Sequence, residues 1–203
     1  MSIVNLIVLT GVVLVLGVVI ASWLMSYRDP RDAVVGSRRS FLALPLWAQI
    51  VLGLAALVLL AALGYWLWIP LPLAISPEVS AILTVGGLTF FLVGCGLALW
   101  ARWALGTMYG VSTGGAAPLQ MRHRLIQHGP YAWVRHPMYL GYWLVLLGVT
   151  LIYQTWTPLL FLVMSIASFY RRARREESAL AERFGEEWHA YALRTKFLIP
   201  FVY

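Results

Sequence analysis

"YAWVRHPMYLGYWLVLLGVTLIYQTWTPLLFLVMSIASFYRRARREE", residues 131 to 177, sets an arginine, a histidine and a proline directly before an apolar run. A four-residue polar interruption, a second apolar run, a basic cluster and two glutamates follow. The runs, about 138 to 153 and 157 to 170, carry no formal charge and are separated only by "QTWT". Such a pattern predicts a tight helical hairpin in a bilayer. Because a full crossing takes about 20 helical residues, both arms are expected to be tilted or to stop short of spanning.

Working outward, three longer apolar runs precede the hairpin, about Ile3 to Met25, Leu46 to Trp68 and Val79 to Trp100. Each is long enough to cross about 30 Å of hydrocarbon. The composition agrees: of 203 residues, 61% are apolar and only 11% are charged, a balance that excludes an ordinary soluble domain. The expected fold is an all-α integral membrane helical bundle of about five transmembrane helices plus a C-terminal amphipathic cytoplasmic helix. The first run has basic residues after it rather than before it, so it reads as a permanent helix and not a secretory leader. Cys95 is the only cysteine, which excludes a disulfide framework and a cysteine-bound metal; no metal site is expected.

Orientation follows from the basic residues. Arg28, Arg31, Arg38 and Arg39 follow the first run, Arg102, Arg122, Arg124 and Arg135 lie between the third and fourth, and the remainder follow the fifth. With five crossings all of these share one side, while "IPLPLAISPE" and "QTWT" carry no basic residue. The basic side is expected to be cytoplasmic, with the N-terminus outside and the C-terminus inside, in a bacterial-type plasma membrane. Topology and anionic headgroups account for the net charge of +7, and no nucleic-acid partner is expected. Trp23, Tyr27, Trp47, Trp66 and Trp68 fall near run ends, as an aromatic belt would place them.

The chain is asymmetric. Residues 1–78 hold two plain crossings and one basic loop with a turn signal at Asp29-Pro30; residues 79–203 are expected to form the catalytic region of a single overall domain. Between the third and fourth runs, Gly106, Gly110, Gly114, Gly115 and Gly129 permit close backbone approach or positive φ, and Pro118, Pro130 and Pro137 interrupt any helix. For the glycines alone a plain loop is the simpler reading. Arg135-His136-Pro137 adds more. Proline suits a first helical turn, so Arg135 and His136 are expected at the partly positive N-terminus of the fourth helix, where they could hold a carboxylate or phosphate. The plainer alternative is that Arg135 snorkels to headgroups and His136 caps the helix.

After the fifth run, "RRARREESALAERFGEEWHAYALRTKF" continues as a polar helix in which Leu180, Phe184, Trp188 and Tyr191 recur at helical spacing, so it is expected to lie along the membrane surface. Gly185 marks a break or C-cap. Most charges there form a solvated face with local Glu–Arg pairs. Glu176 and Glu177, expected near the aqueous rim, are placed to meet a ligand ammonium. An anion-holding element and a cation-holding element on one face suit a zwitterionic, amino-acid-like cofactor.

The stretches "HRLIQHGPYAWVRHPMYLG" and "REESALAERFGEEWHAY" resemble the signature of the isoprenylcysteine carboxyl methyltransferase family and, more broadly, of membrane phospholipid methyltransferases. The resemblance covers about residues 94 to 200. It implies S-adenosyl-L-methionine as methyl donor. Matched residue by residue, Arg135, His136, Pro137, Tyr139 and Gly141 fall on the RHPxYxG turn, and Glu176 and Glu177 on the acidic pair. His123, Leu125, Gly129 and Tyr131 fall on the preceding HxLxxxGxY stretch. All eleven are implied cofactor-binding residues, and Arg135 and Glu177 are implied catalytic residues. Gly94-Cys95-Gly96 matches a GxG of the phospholipid branch, although small residues at this spacing are common wherever helices pack.

The implied acceptor is a lipophilic small molecule or lipid-linked substrate, a carboxylate of the isoprenylcysteine type, entering from among membrane lipids. A carboxylate is already ionised at neutral pH and needs no general base. In the alternative, a phosphatidylethanolamine-type amine, His123, His128, His136 or Glu177 would have to take a proton. An NADPH-dependent membrane reductase resembles the same C-terminal architecture, but its turn carries Asn before the Tyr and an acid after the Gly, where Met138 and Tyr142 stand here. A non-enzymatic membrane protein is the remaining alternative. The oligomeric state is not legible.

Overall fold

The computed structural model describes residues 2–27, 44–106 and 124–199. The basic loop with Asp29-Pro30, the glycines at 110, 114 and 115, Pro118, Arg122 and His123 lie outside the described residues, as do the side chains of Trp23 and Tyr27. The fold is an all-α membrane bundle: α1 (Ile3–Tyr27), α2 (Leu46–Trp66), α3 (Pro77–Leu105), a 3-10 turn (Gly129–Ala132), α4 (Pro137–Tyr153), α5 (Trp156–Phe184) and α6 (Glu186–Arg194). The first three are long and apolar enough to cross a membrane, and α4 is a shorter apolar helix.

Local chemistry sets the helix ends. Ser76 caps α3 by accepting from Val79 N, with Pro77 in the first turn. Pro137 opens α4 in the same manner, and Gln154 closes it in the left-handed region at φ 49°, a conformation uncommon for a residue with a side chain. Gln154 Nε2 donates to Ser80 Oγ at 3.2 Å, tying this turn to the start of α3. "QTWT" is thus the predicted tight turn. As the sequence predicts, the second arm runs on past its apolar stretch: α5 continues without interruption through the basic cluster to Phe184.

The tightest contact joins α3 to α4. Gly87 and Gly94 face Gly148 and Gly141, seven residues apart on each helix, so two antiparallel turns interlock. A Cβ added at Gly94 would lie 2.6 Å from Val145 N, and one at Gly148 would lie 2.6 Å from Gly87 O. In a bilayer, where apolar burial between helices gives little driving force, such close backbone approach supplies the packing energy. Gly94 is therefore a packing residue, while a Cβ at Gly96 would meet nothing within 4 Å.

Contacts at both ends and in the middle hold α1 against this pair. Tyr153 donates to Asn5 Oδ1 at 3.1 Å at one end, and Arg102 Nε donates to Ser22 Oγ at 2.7 Å at the other. Between them Val8 packs on Phe91 and Cys95. Most of α2 is exposed apolar surface, as suits a helix facing lipid.

Gly185, at φ 49°, ends α5 and turns the chain into α6. The predicted surface helix is only partly what forms. Trp188 and Tyr191 are buried against the bundle, so the apolar face of α6 packs on the protein itself, and Leu193 faces outward. Residues 195–199 then return to the turn before α4, where Arg135 N donates to Lys196 O at 2.8 Å and Lys196 N to Trp133 O at 3.1 Å.

Candidate active site

Four elements converge at the basic end of the hairpin, beyond its apolar runs. The turn ahead of α4 carries Arg135 and His136, α5 carries Arg172, Glu176 and Glu177, α6 carries Trp188 and Tyr191, and the returning segment carries Phe197. The sequence places Arg135 and Glu177 forty-two positions apart, yet Arg135 Nε donates to Glu177 Oε1 at 2.6 Å. The same guanidinium donates through Nη1 to Thr195 O at 2.6 Å and Ala192 O at 3.0 Å. Arg135 thereby binds α5, the end of α6 and the returning segment together.

Glu177 was expected near the aqueous rim. It is instead 9% exposed, because Arg135 compensates its charge and Arg174 Nη1 reaches its other oxygen at 3.3 Å. Burial alone would raise its pKa. The neighbouring His136 ring and Arg135 guanidinium outweigh that effect and hold the carboxyl below its ordinary value. Glu176, one position earlier, points differently. It accepts from Tyr139 Oη at 2.6 Å and from Arg172 Nε at 3.1 Å, and it is more accessible than Glu177.

His136 is nearly inaccessible and lies between the two acids. Its Nδ1 is 3.8 Å from Glu176 Oε2 and its Nε2 is 3.5 Å from Glu177 Oε1, and that buried Nε2 completes no hydrogen bond among the described residues. Tyr139 stacks between His136, 5.6 Å away by ring centroids, and Phe169, 5.1 Å away, while Phe197 meets the histidine edge-on. Tyr191 donates to Tyr131 O at 2.8 Å, and burial pushes its phenol up to about 12, so it remains a donor.

Several of these side chains border a cavity of about 710 Å³. At one end lie Arg135, His136, Tyr139, Arg172, Glu176 and Trp188; from there the cavity runs between α1, α4 and α5 to Trp68, Thr157 and Pro158 at the far side of the bundle. One void therefore joins a charged, aromatic chamber to an apolar channel at membrane depth.

The structure divides the residues singled out from sequence. Leu125, Tyr131, Arg135, His136, Tyr139 and Glu176 line the cavity. Gly129, Pro137, Gly141 and Glu177 do not, and each has a structural task. Gly129 takes φ 61° to start the 3-10 turn, Pro137 starts α4, Gly141 admits the backbone of Ala98, and Glu177 anchors Arg135. His123 lies outside the described residues. Sequence reasoning missed Arg172 as a lining residue, although it stands four positions before Glu176 and so on the same helix face. It also assigned Trp188 and Tyr191 to a lipid-facing stripe, since periodicity cannot say what an apolar face meets.

Comparison with known proteins adds the following. The family described as phospholipid methyltransferase matches residues 82–187. The human protein-S-isoprenylcysteine O-methyltransferase is 30% identical over 145 residues, covering 70% of this chain and 50% of that protein. Its counterpart from Tribolium castaneum is 38% identical over 85 residues, 39% of this chain and 29% of that one, and the one from Saccharomyces cerevisiae is 33% identical over 81 residues, 39% and 34%. The chain spans about half the length, or less, of these curated relatives. In structure it is similar to the eukaryotic intramembrane Ras methyltransferase, isoprenylcysteine carboxyl methyltransferase. The TM-score is 0.53 at 24% identity, over 78% of this chain and 55% of that one. At that identity the likeness supports the fold.

Proposed function

The chain belongs to the phospholipid methyltransferase family, and on that premise we propose that it moves the methyl group of S-adenosyl-L-methionine to the carboxylate of a lipid-bearing, isoprenylcysteine-type acceptor. The observation that carries this reading is the single cavity, whose charged end and apolar length suit a water-soluble zwitterion and a membrane-resident chain respectively. The names of the matched relatives favour the same acceptor class. The reaction face is cytoplasmic, with the N-terminus outside and the C-terminus inside, because the basic residues gather there.

The residues fit the cofactor. Glu176 offers a carboxylate to an ammonium, while His136 Nε2, buried and unfilled, and Arg172 offer donors to a carboxylate. Tyr139 and Phe169, stacked on each other, both line the cavity and give it an aromatic wall. When bound, the sulfonium cofactor supplies an activated methyl group: the acceptor carboxylate gives the electron pair for the new O–CH3 bond as the S–CH3 bond breaks and a neutral thioether leaves. The protein's part is to align and to exclude water. Tyr139, by donating to Glu176, fixes that carboxylate's orientation, and Arg135 holds α6 against the chamber so that Trp188 walls it. An ionised acceptor leaves no proton to remove, so no residue need act as base.

The family description favours one second reading, methylation of a phospholipid amine. Membranes containing the protein, incubated with methyl-labelled S-adenosylmethionine and S-prenylcysteine or phosphatidylethanolamine, separate the two. Base-labile label on the prenylcysteine supports the ester, stable label on headgroup nitrogen supports the amine, and no transfer to either refutes both.

A further inference from the structure

A residue outside every motif stands at the far end of the cavity. Trp68 lines the main cavity and also lines a second hollow of about 630 Å³, bounded otherwise by Tyr65, Trp66 and Ile69. Among the described residues it is the one that lines both, so it stands between them. Its position is braced. Trp68 meets Tyr153 edge-to-face with centroids 5.1 Å apart, and Tyr153 is itself tied to Asn5 of α1. Its neighbours are pinned to the first turn of α5, because Trp156 N donates to Ile69 O at 3.0 Å and Thr157 Oγ1 to Gly64 O at 2.8 Å.

Position along α5 gives the length of the channel. Phe169 lies beside the charged chamber and Thr157 beside Trp68, twelve residues away, or about 18 Å at 1.5 Å per residue. At the roughly 1.2 Å per bond of an extended chain, that length holds about fifteen bonds, close to four isoprene units.

Resting on the reading that this cavity takes the acceptor's chain, we infer that Trp68 is a chain-length gauge that determines which acceptors fit. A chain that stops short of Trp68 leaves channel unfilled, and one that exceeds it must displace a braced ring or bend back. A hydrophobic pocket distinguishes single methylenes by about 10- to 200-fold, so the limit should be sharp.

The test uses the full chain in detergent and cysteine carboxylates S-substituted with two, three, four or five isoprene units. Dissociation constants are measured separately from methyl transfer. For the wild type, affinity should rise with each unit to about four and fall at least tenfold at five. Trp68→Ala should bind the five-unit chain at least tenfold more tightly than the wild type does, with the two-unit chain unchanged. Val149→Phe, which narrows the channel from the α4 side, should move the limit to a shorter chain, and this opposite shift separates a gauge from general loss of fold. The same limit in wild type and Trp68→Ala, no limit in the wild type, or no binding at any length overturns the inference. A limit that moves as described while no carboxylate is methylated would leave the gauge standing and refute the proposed reaction.

Discussion

Arg135 and Glu177 form a nearly buried, charge-neutral pair, and through it the turn ahead of α4 is joined to α5, α6 and the returning segment. The two residues are coupled to each other before either can be coupled to a ligand. Their substitutions should therefore be read first as changes to the frame of the site.

Replacing Arg135 with alanine leaves Glu177 only the more exposed Arg174 as a cationic partner, and removing one partner of a buried pair costs up to about 3–5 kcal/mol. Thermal melts in detergent should show a marked loss for Arg135→Ala, and the double variant with Glu177→Gln should recover part of it. A single variant that melts like the wild type yet fails to bind S-adenosylmethionine would assign Arg135 to direct cofactor contact instead.

Glu176 and Glu177 should separate cleanly. Glu176 faces the cavity, so Glu176→Gln should weaken S-adenosylmethionine binding by roughly 10- to 150-fold, the loss of one charge-assisted hydrogen bond, with little change in melting. Glu177→Gln should chiefly lower stability. Calorimetric titration alongside a melt checks both, and equal binding by wild type and Glu176→Gln would remove Glu176 from the cofactor site.

The depressed ionisation of Glu177 has a signed consequence. A carboxyl held below its ordinary value of 4.5 in the folded protein contributes stability that is complete above that value and is lost as pH falls through the folded one. Melting temperature against pH should therefore drop on the acid side of about 4.5 in the wild type, and the drop should be shallower in Glu177→Gln. Parallel curves would show that the pair does not govern acid stability.

Much of this was legible in the sequence. Run lengths gave the helices, "QTWT" gave the hairpin turn, and Pro137 placed Arg135 and His136 at a helix start. The pairing of those residues was not legible. Arg135 and Glu177 read as separate sites for opposite charges because nothing local shows that two helices bring them to 2.6 Å. Likewise Gly94 and Gly141 read as motif positions, although the neighbour that requires glycine stands on another helix in each case.

That glycine seam yields its own prediction. A methyl at Gly94 or Gly148 must enter backbone of the facing helix, which cannot move aside as a side chain can, so Gly94→Ala and Gly148→Ala should each destabilise by about 1–3 kcal/mol. Gly96→Ala, with open space around it, should not. Comparable melts for all three would refute the seam.

Topology is testable without purification. A tag before Met1 should be labelled from outside intact cells, and a reporter after Tyr203 should be cytoplasmic. Both termini on one side would mean that the hairpin does not cross as proposed.

The unbroken course of α5 fixes the height of the reaction plane. Nineteen residues separate Thr157 at the far face from Glu176 at the chamber, about 28 Å of rigid helix and nearly the thickness of a bilayer's hydrocarbon core. Residue count thus sets how far the acid stands from Thr157, like a mark on a dipstick. One inserted residue between them would lower that mark by about 1.5 Å and swing it about 100° around the rod, out of the chamber. A thinner or thicker membrane would shift the chamber relative to the headgroups, so the lipid composition of the host bilayer would become a variable of the proposed reaction.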